Sequence, residues 1–142
     1  MVESNPKHFA FAEMVKTTTG LENVPSWEAI ENLRELGLFL DKIREDLGGI
    51  AIRVNCGFRS ESVNKAVGGV ATSAHLKGMA ADICAWNGKE STNRELYAVL
   101  SKKIGSIDQL ISYHKTAGDF KSPIRFIHVG LAAKPRGQVL CK

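Results

Sequence analysis

A single carboxylate, Asp82, interrupts the small and apolar run Gly78-Met79-Ala80-Ala81-Asp82-Ile83-Cys84-Ala85. Read as a strand, this run sends alternate side chains to opposite faces. Met79, Ala81, Ile83 and Ala85 make one apolar face. Gly78, Ala80, Asp82 and Cys84 make the other, which is nearly bare except for the carboxylate. A carboxylate in such a strand is costly unless it is paired, hydrogen-bonded or bound to a metal. The small residues beside it leave room for something to approach.

His75 lies seven positions before Asp82. In one straight strand their Cα atoms would stand ~23–25 Å apart. They could not then share an ion whose ligand bonds are ~2 Å long. A turn at Leu76-Lys77-Gly78 closes the gap, provided the strand begins near Gly78. Taken alone, an aspartate at a strand end is more often solvated or capping, and a histidine beside a loop usually has no special role.

A third residue shifts that balance. Arg125–Leu131 reads as a late strand with Ile127, Val129 and Leu131 on one face and Phe126, His128 and Gly130 on the other. His128 by itself suits a core histidine bonded to a backbone carbonyl. Two strands, each presenting one potential ligand beside a glycine, make a shared site the better account. Two histidines and a carboxylate match the three-protein-ligand pattern of catalytic zinc, with a fourth position left for water.

The rest of the chain carries no linker, repeat or low-complexity segment. A short helix is expected over 7–16, with Phe11, Met14 and Val15 inward, ended by Thr17-Thr18-Thr19-Gly20. The main helix starts at Ser26, a favourable N-cap after Pro25. Ile30, Leu33, Leu36, Leu40, Ile43 and Leu47 give it a buried stripe, and Gly48-Gly49 stops it. Ile50–Cys56 alternates as a strand, with Ile50, Ile52, Val54 and Cys56 on one face. A short helix follows over 60–67, ended by Gly68-Gly69. Thr92-Asn93-Arg94-Glu95 has the form of a capping box opening a helix with Leu96, Val99, Leu100 and Ile104, stopped by Gly105. Strands over 108–114 and 124–131 close the sequence. Helices first and short late strands predict an α+β domain, helices packed on a mainly antiparallel sheet.

Ser73-x-His75-x-x-Gly78-x-Ala80-x-Asp82, followed by Phe126-Ile127-His128-Val129, resembles the zinc D-Ala-D-Ala peptidases of the M15 type. Those peptidases share their fold with the hedgehog signalling domain. The likeness runs from about Phe9 to Leu131. It takes in Thr19-Gly20-Leu21-Glu22-Asn23-Val24-Pro25 before the long helix and Leu40-Asp41-Lys42-Ile43-Arg44-Glu45 at its end. It continues through Cys56-Gly57-Phe58-Arg59-Ser60, Val63-Asn64-Lys65-Ala66-Val67-Gly68-Gly69 and Asp108-Gln109-Leu110-Ile111. The resemblance implies one hedgehog/DD-peptidase-like domain over residues 1–142, with Zn2+ held by His75, Asp82 and His128. It also implies hydrolysis of peptide bonds in peptidoglycan stem peptides or cross-links, by carboxypeptidase or endopeptidase action.

Arg59 matches a family arginine that binds substrate or stabilises developing negative charge, tasks suited to a guanidinium fork. Ser73 either orients a ligand, touches substrate or caps its turn. The general base departs from the pattern. Arg125 stands where many relatives carry an acid, and Phe126 where others carry a second histidine. Asp108 is the best remaining carboxylate, matching a recurrent family aspartate, with His114 and Asp119 behind it. The missing acid favours a rival expectation: a metal-bearing module that binds cell wall or a protein partner without turnover.

Composition adds limits. A chain of 142 residues, 44% hydrophobic, can bury the core of one ordinary domain. Its 19 basic and 15 acidic residues give a net charge of +4, mildly attractive to anionic surfaces. The basic residues are scattered, so nucleic acid is not an expected partner. Cys56, Cys84 and Cys141 form neither a Cys-x-x-Cys pair nor a disulfide framework, and read as reduced thiols with Cys84 in the core. No apolar leader follows Met1 and no run is long enough to enter a membrane. A cytoplasmically made monomer is expected, reaching the wall after release by a phage or prophage lysis system. A chain trimmed of its leader fits equally.

Overall fold

The computed structural model describes residues 5–142. Its core is laid down by α2 (Trp27–Asp46), whose N-terminus is capped where the Ser26 hydroxyl accepts from the Ala29 N–H. Leu33, Leu36, Leu40 and Ile43 bury fully along one face of that helix, joined by Leu47 just past its end. Ile30, expected in the same stripe, is only half-buried. Gly48 and Gly49 take the left-handed conformation that ends the helix.

Five strands form one sheet: β1 (Ile52–Cys56), β2 (Ala80–Ala85), β3 (Gln109–His114), β4 (Ile124–Gly130) and β5 (Gln138–Cys141). Their order is β1-β2-β4-β3-β5. All neighbours are antiparallel except β3 and β5. The fold is thus a small α+β domain with a mostly antiparallel sheet, as the sequence predicts. Strand alternation splits the sheet cleanly. Val54, Ala81, Ile83, Ile127, Val129 and Leu110 occupy the face turned to the core, all essentially inaccessible. Asp82, His128 and Ile111 lie in register across the other. Helix α4 (Glu90–Ser101) packs against α2 and against β2, β3 and β4. Among the described residues, no helix is long and apolar enough to cross a membrane.

Four local expectations need correction. The first helix, α1 (Phe11–Met14), is one turn rather than ten residues. The chain before it is tied down instead by the buried Asp41 carboxylate, which accepts from the Lys7 and His8 N–H groups at 2.7 and 3.0 Å. Phe9 therefore points inward, while Phe11 is half-exposed. Helix α4 begins at Glu90, so Thr92 and Asn93 lie within its first turn and not at its cap. Thr92 is engaged by Asn87, and Asn93 bonds Ala85 N–H and Ile124 C=O, linking β2 to β4. Ile104 falls beyond α4, in a short 3₁₀ turn. Strand β5 was not expected: it is a four-residue edge strand of alternating exposure, too short for a periodicity signal.

The short helix α3 (Glu61–Ala66) forms as expected, capped by Ser60 on Val63 N–H. Strand β1 holds the fourth correction. Its register slips between Val54 and Cys56, so Cys56 sits opposite Asp82 rather than in line with Ile52 and Val54. A bulge of this kind re-aims one side chain to the other face of a sheet.

Candidate metal centre

The β2–β4 register sets Asp82 directly beside His128. His75 arrives from a 3₁₀ turn over Ala74–Lys77, the chain reversal that the His75–Asp82 spacing demands. Ser73 caps this turn, its hydroxyl accepting from the His75 N–H at 3.2 Å. Gly78 ends it with φ at +71°, and a Cβ there would come within 2.6 Å of the Ala29 carbonyl oxygen. Glycine is required here both by conformation and by the close passage of α2.

The three side chains converge. Asp82 Oδ1 lies 2.9 Å from His128 Nδ1 and 3.4 Å from His75 Nε2. One ligand atom from each residue falls within 4.8 Å of the others, the only such group of histidine, cysteine or carboxylate among the described residues. Ligands on a tetrahedral zinc with bonds of ~2 Å stand roughly 3.3 Å apart, so the trio fits such an ion.

Surrounding bonds fix the orientation. His75 Nδ1 donates to the Gly57 carbonyl at 2.6 Å, which leaves Nε2 facing Asp82. Such an outer partner sets the tautomer and aim of a metal-binding histidine. Gly57 can take no side chain, because a Cβ would run into the Met14 carbonyl oxygen. Arg59 is held from three sides: Nε on Cys56 Sγ at 3.2 Å, Nη1 on Asn64 Oδ1 at 3.3 Å, Nη2 3.6 Å from Asp82 Oδ2. Its own N–H donates to the His75 carbonyl, which stitches the arginine loop to the histidine turn.

Charge follows geometry. Burial disfavours an imidazolium at His75, but Asp82 and Cys56 outweigh it and raise its pKa from 6.5 to about 9. Burial likewise opposes ionisation of Asp82, yet the two histidines hold it far below the usual carboxylate range. The Cys56 thiol is lowered against its own burial by His75 and Arg59. Without a metal, the cluster therefore holds a proton where a cation would sit.

The trio lies on a cleft of about 620 Å³ whose walls include Arg59, Ser73, Asp108, Tyr113, Phe126 and Arg136. Asp108 is at this cleft but engaged: its Oδ1 accepts from Arg136 N–H and Nε, and its Oδ2 from Nη2, at 2.9 to 3.0 Å. Arg136 holds the Asp108 carboxyl below its ordinary pKa, which weakens it as a proton acceptor. Tyr113 and Phe126 stack at 4.5 Å beside the trio. Burial raises the Tyr113 pKa, and the charge of Asp82 adds to it.

Other expectations fall away from the cleft. His114 is buried, with Nδ1 on the Ser122 carbonyl and Nε2 on the Ser112 hydroxyl, a satisfied core histidine. Asp119 sits on an exposed turn and accepts from Lys121 N–H. Cys84 shares the Asp82 face but is half-exposed against Asn55, not in the core. Sequence reasoning missed Cys56, Asn64, Tyr113 and Arg136. A bulge brought in Cys56, a buried amide Asn64 and the segment before a late edge strand Arg136, none with a spacing signal. Tyr113, by contrast, lies on the expected 108–114 strand, two residues from Ile111 on the Asp82 face.

A sequence profile described as Peptidase M15 matches residues 7–116. That stretch holds Arg59, His75, Asp82 and Asp108, while His128 lies beyond it and joins them through the β2–β4 pairing. No curated protein matches the chain. With more than three quarters of its length matched, the chain belongs to the Peptidase M15 family.

Proposed function

We propose that this protein is a zinc metallopeptidase that hydrolyses peptide bonds of bacterial peptidoglycan, in D-amino-acid-containing stem peptides or cross-links. The observation that carries this reading is the convergence of His75 Nε2, His128 Nδ1 and Asp82 Oδ1 beside a cleft, in a chain of this family. Zinc in that set would supply Lewis-acid chemistry, lowering the pKa of water and polarising a carbonyl. The protein's own groups do the rest. Gly57 and Ser73 fix the histidine turn, and Asn64 and Cys56 hold Arg59 in place. Arg59 is aimed at the same cleft and is suited to pair with a substrate carboxylate or with charge developing on a carbonyl oxygen. Tyr113 is our candidate for delivering a proton or hydrogen bond there, since its phenol lines the cleft within electrostatic reach of Asp82 and Arg59.

One observation favours a second reading, a metal-bearing binding module. Among the described residues, Asp82 and Asp108 are the only side-chain carboxylates lining the cleft, and both already have cationic or imidazole partners. Elemental analysis and a cell-wall digest separate the two. About one zinc per chain, lost in His75→Ala, with release of peptide fragments from purified wall, supports the peptidase. Zinc without any fragment release leaves the binding module. No zinc, even after it is added back, removes both readings of the site.

A further inference from the structure

We propose that Arg136, braced by Asp108 at the cleft, is a binding site for a carboxylate of the peptide substrate, separate from the His75–Asp82–His128 trio. This rests on the peptidase reading above and assigns Asp108 a positioning role in place of a proton-accepting one. Arg136 has five N–H donors in its guanidinium. Nε and one hydrogen of Nη2 are spent on Asp108, in a side-on grip of 2.9 and 3.0 Å. No further acceptor holds the remaining donors among the described residues, and the side chain is 61% exposed. The Arg136 main-chain N–H also reaches Asp108 Oδ1, so both ends of the residue are fixed. A guanidinium immobilised in this way has already given up much of its rotamer freedom, which favours capture of an incoming anion.

The wall around it carries a matching charge. Arg59, Arg136 and Lys142 face the cleft against Asp82 and Asp108. Asp82 is enclosed by two histidines and Arg59, and Asp108 is taken by Arg136. Lys142 has no side-chain partner among the described residues, and its backbone pairs with Ser112 and His114 in the β5 extension. Alongside neutral groups such as Ser73 and Tyr113, the charged groups that the cleft leaves to an entering group are cationic, which favours a carboxylate over an amine.

Topology sets the separation. Asp108 N–H donates to the Gly130 carbonyl, two residues beyond His128 on β4. Two to three strand residues and one strand spacing put Asp108 on the order of 10 Å from the His128 backbone. That spans roughly three extended residues of a bound peptide. The carboxylate so read belongs to a residue near the bond presented at the trio, not to that bond itself.

The test uses zinc-loaded protein and two synthetic stem peptides that differ only in one carboxylate, free or amidated. Binding is measured by calorimetry and cleavage by chromatography. The wild type should prefer the free acid by about ten- to hundredfold, the range of a charge-assisted bidentate contact. Arg136→Gln should narrow that ratio to below about threefold, and Arg136→Lys, which keeps charge without the fork, should fall between. Asp108→Asn should narrow it partly. Unfolding temperatures of the three variants report whether the β5 turn stays in place. An equal response to both peptides in the wild type, or an unchanged ratio in Arg136→Gln, overturns the proposal. Loss of cleavage of both peptides in Asp108→Asn with the ratio intact also overturns it, since Asp108 is then the base. Absence of cleavage with the binding preference present and lost in Arg136→Gln supports the site while removing the peptidase reading.

Discussion

Removing the metal should make this protein less stable as the solution becomes more alkaline, and the size of the effect follows from His75. Its pKa is 6.5 in an unfolded reference and about 9 in the folded, metal-free cluster. A raised pKa means that folding favours the protonated form, so the contribution is complete below 6.5 and is lost as pH climbs to about 9. At ~1.36 kcal/mol per unit, the whole window is worth about 3 kcal/mol. Asp82, depressed below its reference of 3.8, acts only in acid, where its contribution is lost as pH falls through its folded value. Cys56, lowered from 9.0, works against His75 near the top of the window. A Cys56→Ser background removes that opposing titration together with the part of the His75 shift that Cys56 supplies, so the pH window there should narrow.

The assay is urea unfolding of chelator-treated protein at a series of pH values across that window. Stability should decline steadily by about 3 kcal/mol, and His75→Ala should flatten the profile. With zinc present the trend should reverse. The ion must displace the His75 proton, so its affinity should rise by about tenfold per pH unit until that proton is gone. A metal-free protein equally stable at both ends of the window would refute the coupling of His75 to Asp82. So would a slope that survives in His75→Ala.

Arg59→Ala should keep zinc in stoichiometric amount and lower kcat/KM on wall-derived peptides by roughly 10²–10³, as loss of a group facing developing charge does. Full activity would exclude it from the reaction. Tyr113→Phe should preserve stacking on Phe126 and zinc content while lowering kcat by about tenfold or more with little change in KM. An unchanged kcat would remove the phenol from catalysis. Gly78→Ala should cost at least ~1–2 kcal/mol in urea unfolding, because alanine resists the left-handed conformation. It should also weaken zinc binding, since the new Cβ presses on Ala29 O at 2.6 Å and displaces the turn that carries His75.

What the sequence made legible, and what it hid, divides along one physical line. Asp82 and His128 could be read because period-two alternation puts each on the bare face of a strand beside glycine or alanine. Their contact needed only the right strand pairing. The α2 stripe could be read for the same kind of reason, as one local period repeated over 20 residues. Phe126 and Tyr113 follow the same alternation, but the polar groups Cys56, Asn64 and Arg136 around the trio answer to no local period. Cys56 turns toward Asp82 through a register slip in β1, a fault in alternation that alternation cannot predict. Asp108 looked like a free carboxylate because its partner lies 28 residues later, on a segment entering a short parallel edge strand. His114, equally plausible from composition, is consumed by Ser112 and Ser122 on the core side of the sheet. A ligand on a regular strand announces itself through spacing, whereas its neighbours are chosen by distant segments folding onto it. Substitutions at His75, Asp82 and His128 should therefore abolish zinc binding outright. Those at Cys56, Asn64 and Arg136 should leave the ion in place and change what the cleft accepts.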